Sequence, residues 1–198
     1  MSSSRSFVGP PIDDFDVLGR LPSDYAASLR EVNGFIYFDG GLHVRGACTD
    51  PIWHSLRAVW EGETSLEKLY PAVHKSDIPF AQDCFGDQFL IRESRVIRLY
   101  SETGQIEPLS MTFQEFFQKA DDDPTGFFSL EPLARFNNRG GTLVPGQLLS
   151  VYPPFCVKEG SERSLRAIPM AERIGSLADF ARQIREIPDG QTIRVAVK

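Results

Sequence analysis

The sequence predicts an α+β fold: a mainly antiparallel sheet, laid down as a β-meander and flanked by helices. Three observations predict it. Helical spacing with punctuated ends opens the chain, strand-like runs separated by turn residues follow one another from Ile78 to Leu109, and helical and strand-like segments return after Thr112. Regular alternation of single strands with helices, the mark of a parallel sheet, is missing.

Each element has its own local cause. Pro11 suits the first turn of a short helix, where a missing N–H is harmless, and Ile12, Phe15 and Leu18 then share a face before Gly19. Pro22 opens a second helix, Asp24 complements the free amides of its first turn, and Tyr25, Leu29 and Val32 recur at helical spacing until Asn33-Gly34 stops it. Phe35–Phe38 and Leu42–Arg45 form a hairpin around Asp39-Gly40-Gly41. Asp50-Pro51 is expected to start a helix carrying Trp53, Leu56 and Trp60 toward Gly62, with both tryptophans filling core; Thr64–Tyr70 is a shorter helix.

The meander runs Ile78–Cys84, Gln88–Arg92, Val96–Tyr100 and Gln105–Leu109, with turns at Phe85-Gly86-Asp87 and Glu102-Thr103-Gly104. Thr112 with Glu115 forms a capping box for a helix bearing Phe113, Phe116 and Phe117, which Asp121-Asp122-Asp123-Pro124 ends. Leu148–Tyr152 and Ser164–Ile168 read as strands around the charged stretch Lys158–Arg163. Ser176 with Asp179 caps a helix carrying Leu177, Phe180, Ala181 and Ile184, and after Pro188-Asp189-Gly190 a last strand covers Thr192–Val197.

A chain of 198 residues with 41% apolar composition fits a single domain, 1–198, burying roughly 70% of the surface of its unfolded form. Asp121–Gly126 is the best candidate for a boundary, but the remainder has too few apolar residues for its own core. The net charge of -6 argues against nucleic acid as a partner, since phosphate binding needs a basic face, and suits a basic protein instead. Residues 158–198 carry +2 of that balance, leaving -8 for residues 1–157. Cys48, Cys84 and Cys156, an odd set without a C-x-x-C pair, suit a reducing, cytoplasmic setting; no secretory apolar run and no membrane-length stretch is present.

Chemistry-bearing patterns are sparse. His43, His54 and His74 lack the spacing that puts two metal ligands on one helix face, so no metal and no cofactor is expected. Gly40-Gly41 and Gly140-Gly141 lack phosphate-loop spacing, and no nucleophile elbow occurs. Cys84 reads as a small buried hydrophobe, with a nucleophile as the alternative. Asp83 and Asp87 straddle a turn, where they stabilise its amides or act as a paired acid and base.

Leu21-Pro22-x-Asp24-Tyr25 with Asn33-Gly34, then Phe80-Ala81-x-Asp83 with Gly86-Asp87, then Thr112-Phe113-Gln114-Glu115-Phe116-Phe117 resemble, in order and spacing, the SUKH superfamily, which includes the yeast cell-wall regulator Smi/Knr and many bacterial immunity proteins. The likeness spans residues 10–120. Phe35 departs from it, standing where a second glycine often follows Asn-Gly, and residues 121–198 extend beyond it, expected to pack on that core.

The resemblance implies a non-enzymatic binding domain, in bacteria commonly an immunity protein that neutralises a toxin of a polymorphic or contact-dependent system, many such toxins being basic nucleases. Asp39, Asp83 and Asp87, all at predicted hairpin ends gathered at one sheet edge, are the expected contacts for a basic toxin domain. A regulatory scaffold for endogenous proteins and a small hydrolase using Cys84 or the Asp83 and Asp87 pair are the alternatives, the last requiring a pocket that holds those side chains.

Overall fold

The computed structural model describes residues 5–158, 163–188, 190 and 191. The strand expected at Thr192–Val197 lies outside the described residues. Seven strands form one sheet in strict sequence order, every neighbour antiparallel: β1 (Phe7–Val8), β2 (Phe35–Tyr37), β3 (Leu42–Val44), β4 (Ile78–Asp83), β5 (Gln88–Arg92), β6 (Arg95–Tyr100) and β7 (Gln105–Met111). The α+β class and the meander are as the sequence indicates. The short edge strand β1 was not anticipated.

Local chemistry explains the joints. Arg92 pairs with Arg95, leaving a two-residue turn at Glu93-Ser94, both at positive φ. Pro79 has no N–H for the ladder, and the β4–β5 register breaks between Ile78 and Ala81, where it sits. Pro108 is tolerated because β7 is an edge strand.

The helices are α1 (Phe15–Leu18), α2 (Ser23–Glu31), α3 (Leu56–Trp60), α4 (Leu66–Leu69), α5 (Phe113–Asp122), α6 (Pro124–Phe128), α7 (Glu131–Asn138) and α8 (Met170–Ile184). Strands β8 (Gln147–Tyr152) and β9 (Ser164–Pro169) pair as a second, two-stranded sheet. Because strand side chains alternate, the main sheet buries both faces. Phe89, Ile91 and Val96 join Tyr25, Phe80, Phe113, Phe116 and Phe128 in one cluster, whereas Leu90, Ile97 and Leu99 join Leu66, Tyr70, Ala178 and Ala181 in another. Leu130, Leu133, Leu149 and Val151 belong to the first cluster, so the segment after residue 120 is built into the same core.

Three expected helix starts move. Helix α1 begins at Phe15, because Asp14 rather than Pro11 supplies the cap, its Oδ1 accepting from the Val17 amide at 3.1 Å. Asp50-Pro51 opens no helix; Ser55 caps α3, and Trp53 lies before it, packed on Phe7 and His43 while half-exposed. Helix α8 starts at Met170, directly after Pro169, which leaves Ser176 inside it. At Thr112–Glu115 the capping box forms as the spacing predicts, and Asp123 both follows α5 and caps α6.

Candidate functional site

The end of the β4–β5 hairpin holds the densest polar chemistry. Asp83 closes β4, and its Oδ1 accepts the backbone amides of Phe85, Gly86 and Asp87 at 2.9, 3.0 and 3.0 Å. Its Oδ2 lies 3.3 Å from Arg98 Nη2. Asp87 takes the same guanidinium more tightly, from Nε at 3.1 Å and Nη2 at 2.7 Å, and accepts the Ser101 amide on its other oxygen. The Arg98 guanidinium also lies over the Tyr100 ring, 4.6 Å from its centre. One cation thus serves two carboxylates. Burial, then repulsion from Asp87, pushes the Asp83 carboxyl up to about 7, against the pull of Arg98 and the turn amides.

Of the three residues expected to contact a partner, Asp83 lies wholly inside the fold. Asp83 is 0% exposed, and its lone pairs are committed to the turn and to Arg98. The Asp87 side chain is 15% exposed. Asp39 is half-buried at φ +56 in the β2–β3 turn and is itself engaged within the chain. The two hairpin ends do adjoin, since the Cys84 amide donates to Gly41 O at 3.2 Å. What covers them is the extension: a Cβ on Gly41 would lie 2.7 Å from Leu130, and one on Gly86 2.6 Å from Leu177. From α8, Arg173 Nε donates to Phe85 O at 3.1 Å, and the Leu149 amide of β8 donates to Cys84 O at 2.7 Å.

Cys84 is likewise fully buried, and burial followed by the Asp83 charge raises its thiol well above the ordinary value, opposite to what a thiolate nucleophile needs. Cys156 is exposed, but partial burial and Glu102 push its thiol up to about 11. It borders an open groove of about 1330 Å³ beside α8, lined by Tyr70, Phe155 and the cations Lys158, Arg163, Arg182 and Arg185.

A second polar constellation, unanticipated from the sequence, lies inside the sheet. Arg45, just past β3, is 0% exposed and donates from Nη1 to Pro79 O at 2.8 Å and from Nη2 to the side-chain carbonyls of Gln82 and Gln88, both at 2.6 Å. Burial lowers its guanidinium to about 10. Next to it, His43 Nε2 and His54 Nδ1 are 2.8 Å apart, and His54 Nε2 is 2.8 Å from Asn33 O. A carbonyl only accepts, so His54 carries its proton on Nε2 and receives that of His43 on Nδ1. Burial lowers both imidazoles, and the neutral pair needs no ion. The hint in the sequence was an arginine and two glutamines placed in otherwise apolar strands, a pattern that names no partner.

Among the described residues no group of three or more His, Cys, Asp and Glu is placed to hold a metal, and no helix is long and apolar enough to cross a membrane. No family model matches the chain, and no curated protein matches it.

Proposed function

We propose that this chain is a non-enzymatic, SUKH-like binding domain acting as a cytoplasmic immunity protein, one that neutralises a toxin of a bacterial polymorphic or contact-dependent system by covering it. The observation that carries the reading is where the resemblance residues sit: at the joints of one continuous meander. The Tyr25 hydroxyl donates to Arg45 O at 2.9 Å, tying α2 to the sheet. Gly34 takes φ +76 between α2 and β2. Asp83 organises the β4–β5 turn, Asp87 ties it to Ser101 and Arg98, and Thr112 with Glu115 starts α5. Motif residues used this way define a scaffold and leave recognition to the surface. An acidic surface, on a chain of net charge -6, speeds encounter with a basic toxin domain, and a standard interface of roughly 800 Å² per partner then holds it.

Co-expression tests it. The chain is expected to restore growth to cells producing the toxic domain encoded by the neighbouring gene, and the purified pair to co-elute. No rescue together with no complex removes the reading.

A further inference from the structure

Phe15 is 70% exposed and Ile52 67%, the two highest values for large apolar side chains among the described residues. They lie on two segments that the fold fastens together. Asp13 receives the Thr49 amide at 2.8 Å and the Thr49 hydroxyl at 2.9 Å, while the amides of Asp13 and Asp14 both reach Ala47 O at 3.3 Å.

This surface is held from beneath. Asp14 caps α1 and takes Arg57 Nε at 2.6 Å and Nη2 at 2.5 Å, and that arginine contact, against some desolvation, lowers its carboxyl. Beside Ile52, Trp53 packs on Phe7, ring centres 4.9 Å apart, and Phe7 also meets the His54 ring edge-on. Two large apolar side chains are thus presented on immobilised backbone, where little conformational entropy remains to be lost on binding.

The charge around them has one sign left over. The Asp16 side chain is 94% exposed and has Arg57 Nη2 no nearer than 3.9 Å, and Asp50 is exposed. The neighbouring cations are already occupied: Arg57 by Asp14 and Glu61, Arg20 by Glu61. A second copy would set like charges against each other across a two-fold axis, and an anionic membrane surface would repel the same carboxylates.

We propose that residues 13–16 and 49–52 form the recognition face, with Phe15 and Ile52 as apolar anchors, Asp16 and Asp50 as an acidic rim, and a basic folded protein domain as the partner. This rests on the immunity reading and adds to it which surface does the work. It also accounts for the hairpin carboxylates being covered: recognition lies on the segments after β1 and β3, away from the Asp83–Asp87 turn.

The test is titration calorimetry and stopped-flow binding, with the purified toxic domain from the neighbouring gene as probe. Phe15→Ala with Ile52→Ala is expected to weaken binding about 100-fold through faster dissociation. Asp16→Lys slows association about tenfold and reduces its salt dependence. Tyr152→Ala, an exposed apolar change on β8, leaves both rates unaltered, and all variants melt with the wild type. If the double variant binds as wild type does, this face is wrong and the immunity reading stands. If wild type itself neither binds nor protects, that reading falls and the face with it.

Discussion

Arg45 and Gln82 are joined at 2.6 Å inside the sheet, a fully buried guanidinium resting on a neutral amide oxygen instead of a carboxylate. Gln88 and Pro79 O complete the cradle, while Arg45 Nε has no partner. A buried charge held only by dipoles is costly to keep and costly to break, since each acceptor left without a donor loses its hydration and regains nothing.

Arg45→Met is therefore expected to destabilise the fold by about 2–4 kcal/mol, because Gln88 Oε1 and Pro79 O lose their guanidinium donor together and Gln82 Oε1 keeps only the Gln88 amide at 3.3 Å. Arg45→Met with Gln82→Leu and Gln88→Leu removes cation and side-chain acceptors at once, and should recover more than half of that loss, as apolar replacement of buried polar groups often does. Urea unfolding midpoints decide it. A single variant as stable as wild type would show that the cradle contributes nothing.

Asp83 makes stability depend on pH with an unusual sign. Its carboxyl titrates near 3.8 when unfolded and is pushed up to about 7 when folded. Between those values the folded state holds the extra proton, so this contribution is fully present at the acid end and is lost as pH rises toward 7, by up to about 1.4 kcal/mol per unit. His43 and His54 act oppositely: their folded values lie below 6.5, so their contribution is present above that value and is lost as pH falls through and below it. Asp83→Asn removes one side of this balance. Its unfolding free energy should fall more steeply than that of wild type as pH drops from ~7 to ~5; parallel profiles would refute the assignment.

Gly86 separates backbone strain from packing. Its φ is +106, and an added Cβ would lie 2.6 Å from Leu177 Cδ1, whereas Gly140, at φ +84, has nothing within 4 Å of the same position. Gly140→Ala should cost about 1 kcal/mol for the backbone alone. Gly86→Ala should cost about 2–3 kcal/mol, the excess coming from displaced α8 packing. Equal losses in thermal melts would show that α8 adjusts freely.

How far the sequence could be read follows the distance over which each interaction acts. The Thr112–Glu115 capping box spans three residues, and the β5–β6 turn spans two, so local composition is enough to find them. Arg45 meets its acceptors across 34, 37 and 43 residues, and only the β3–β4–β5 pairing brings them together. Asp83 was legible as a turn aspartate. Its burial was not, because the cover comes from Leu177 and Arg173, some ninety residues later. Helix α8 was found by its apolar face but started late, since Ser176 and Asp179 look like a cap unless Pro169 is seen to close β9.

The histidine pair yields a spectroscopic prediction. Asn33 O fixes the His54 proton on Nε2, His43 donates into the remaining lone pair, and His43 Nδ1 is left bare with no partner. Both rings should show the Nε2–H tautomer in ¹⁵N spectra and titrate below 6.5 in the folded protein, His43 well below, since burial opposes charge on each. Protonating His43 would also place a cation beside the uncompensated Arg45, a repulsion already present among the causes that lower it. Arg45→Met should therefore raise the His43 value. If His43 titrates near 6.5 in the wild type, or does not respond to loss of Arg45, the buried neutral chain of Asn33, His54 and His43 is not as described.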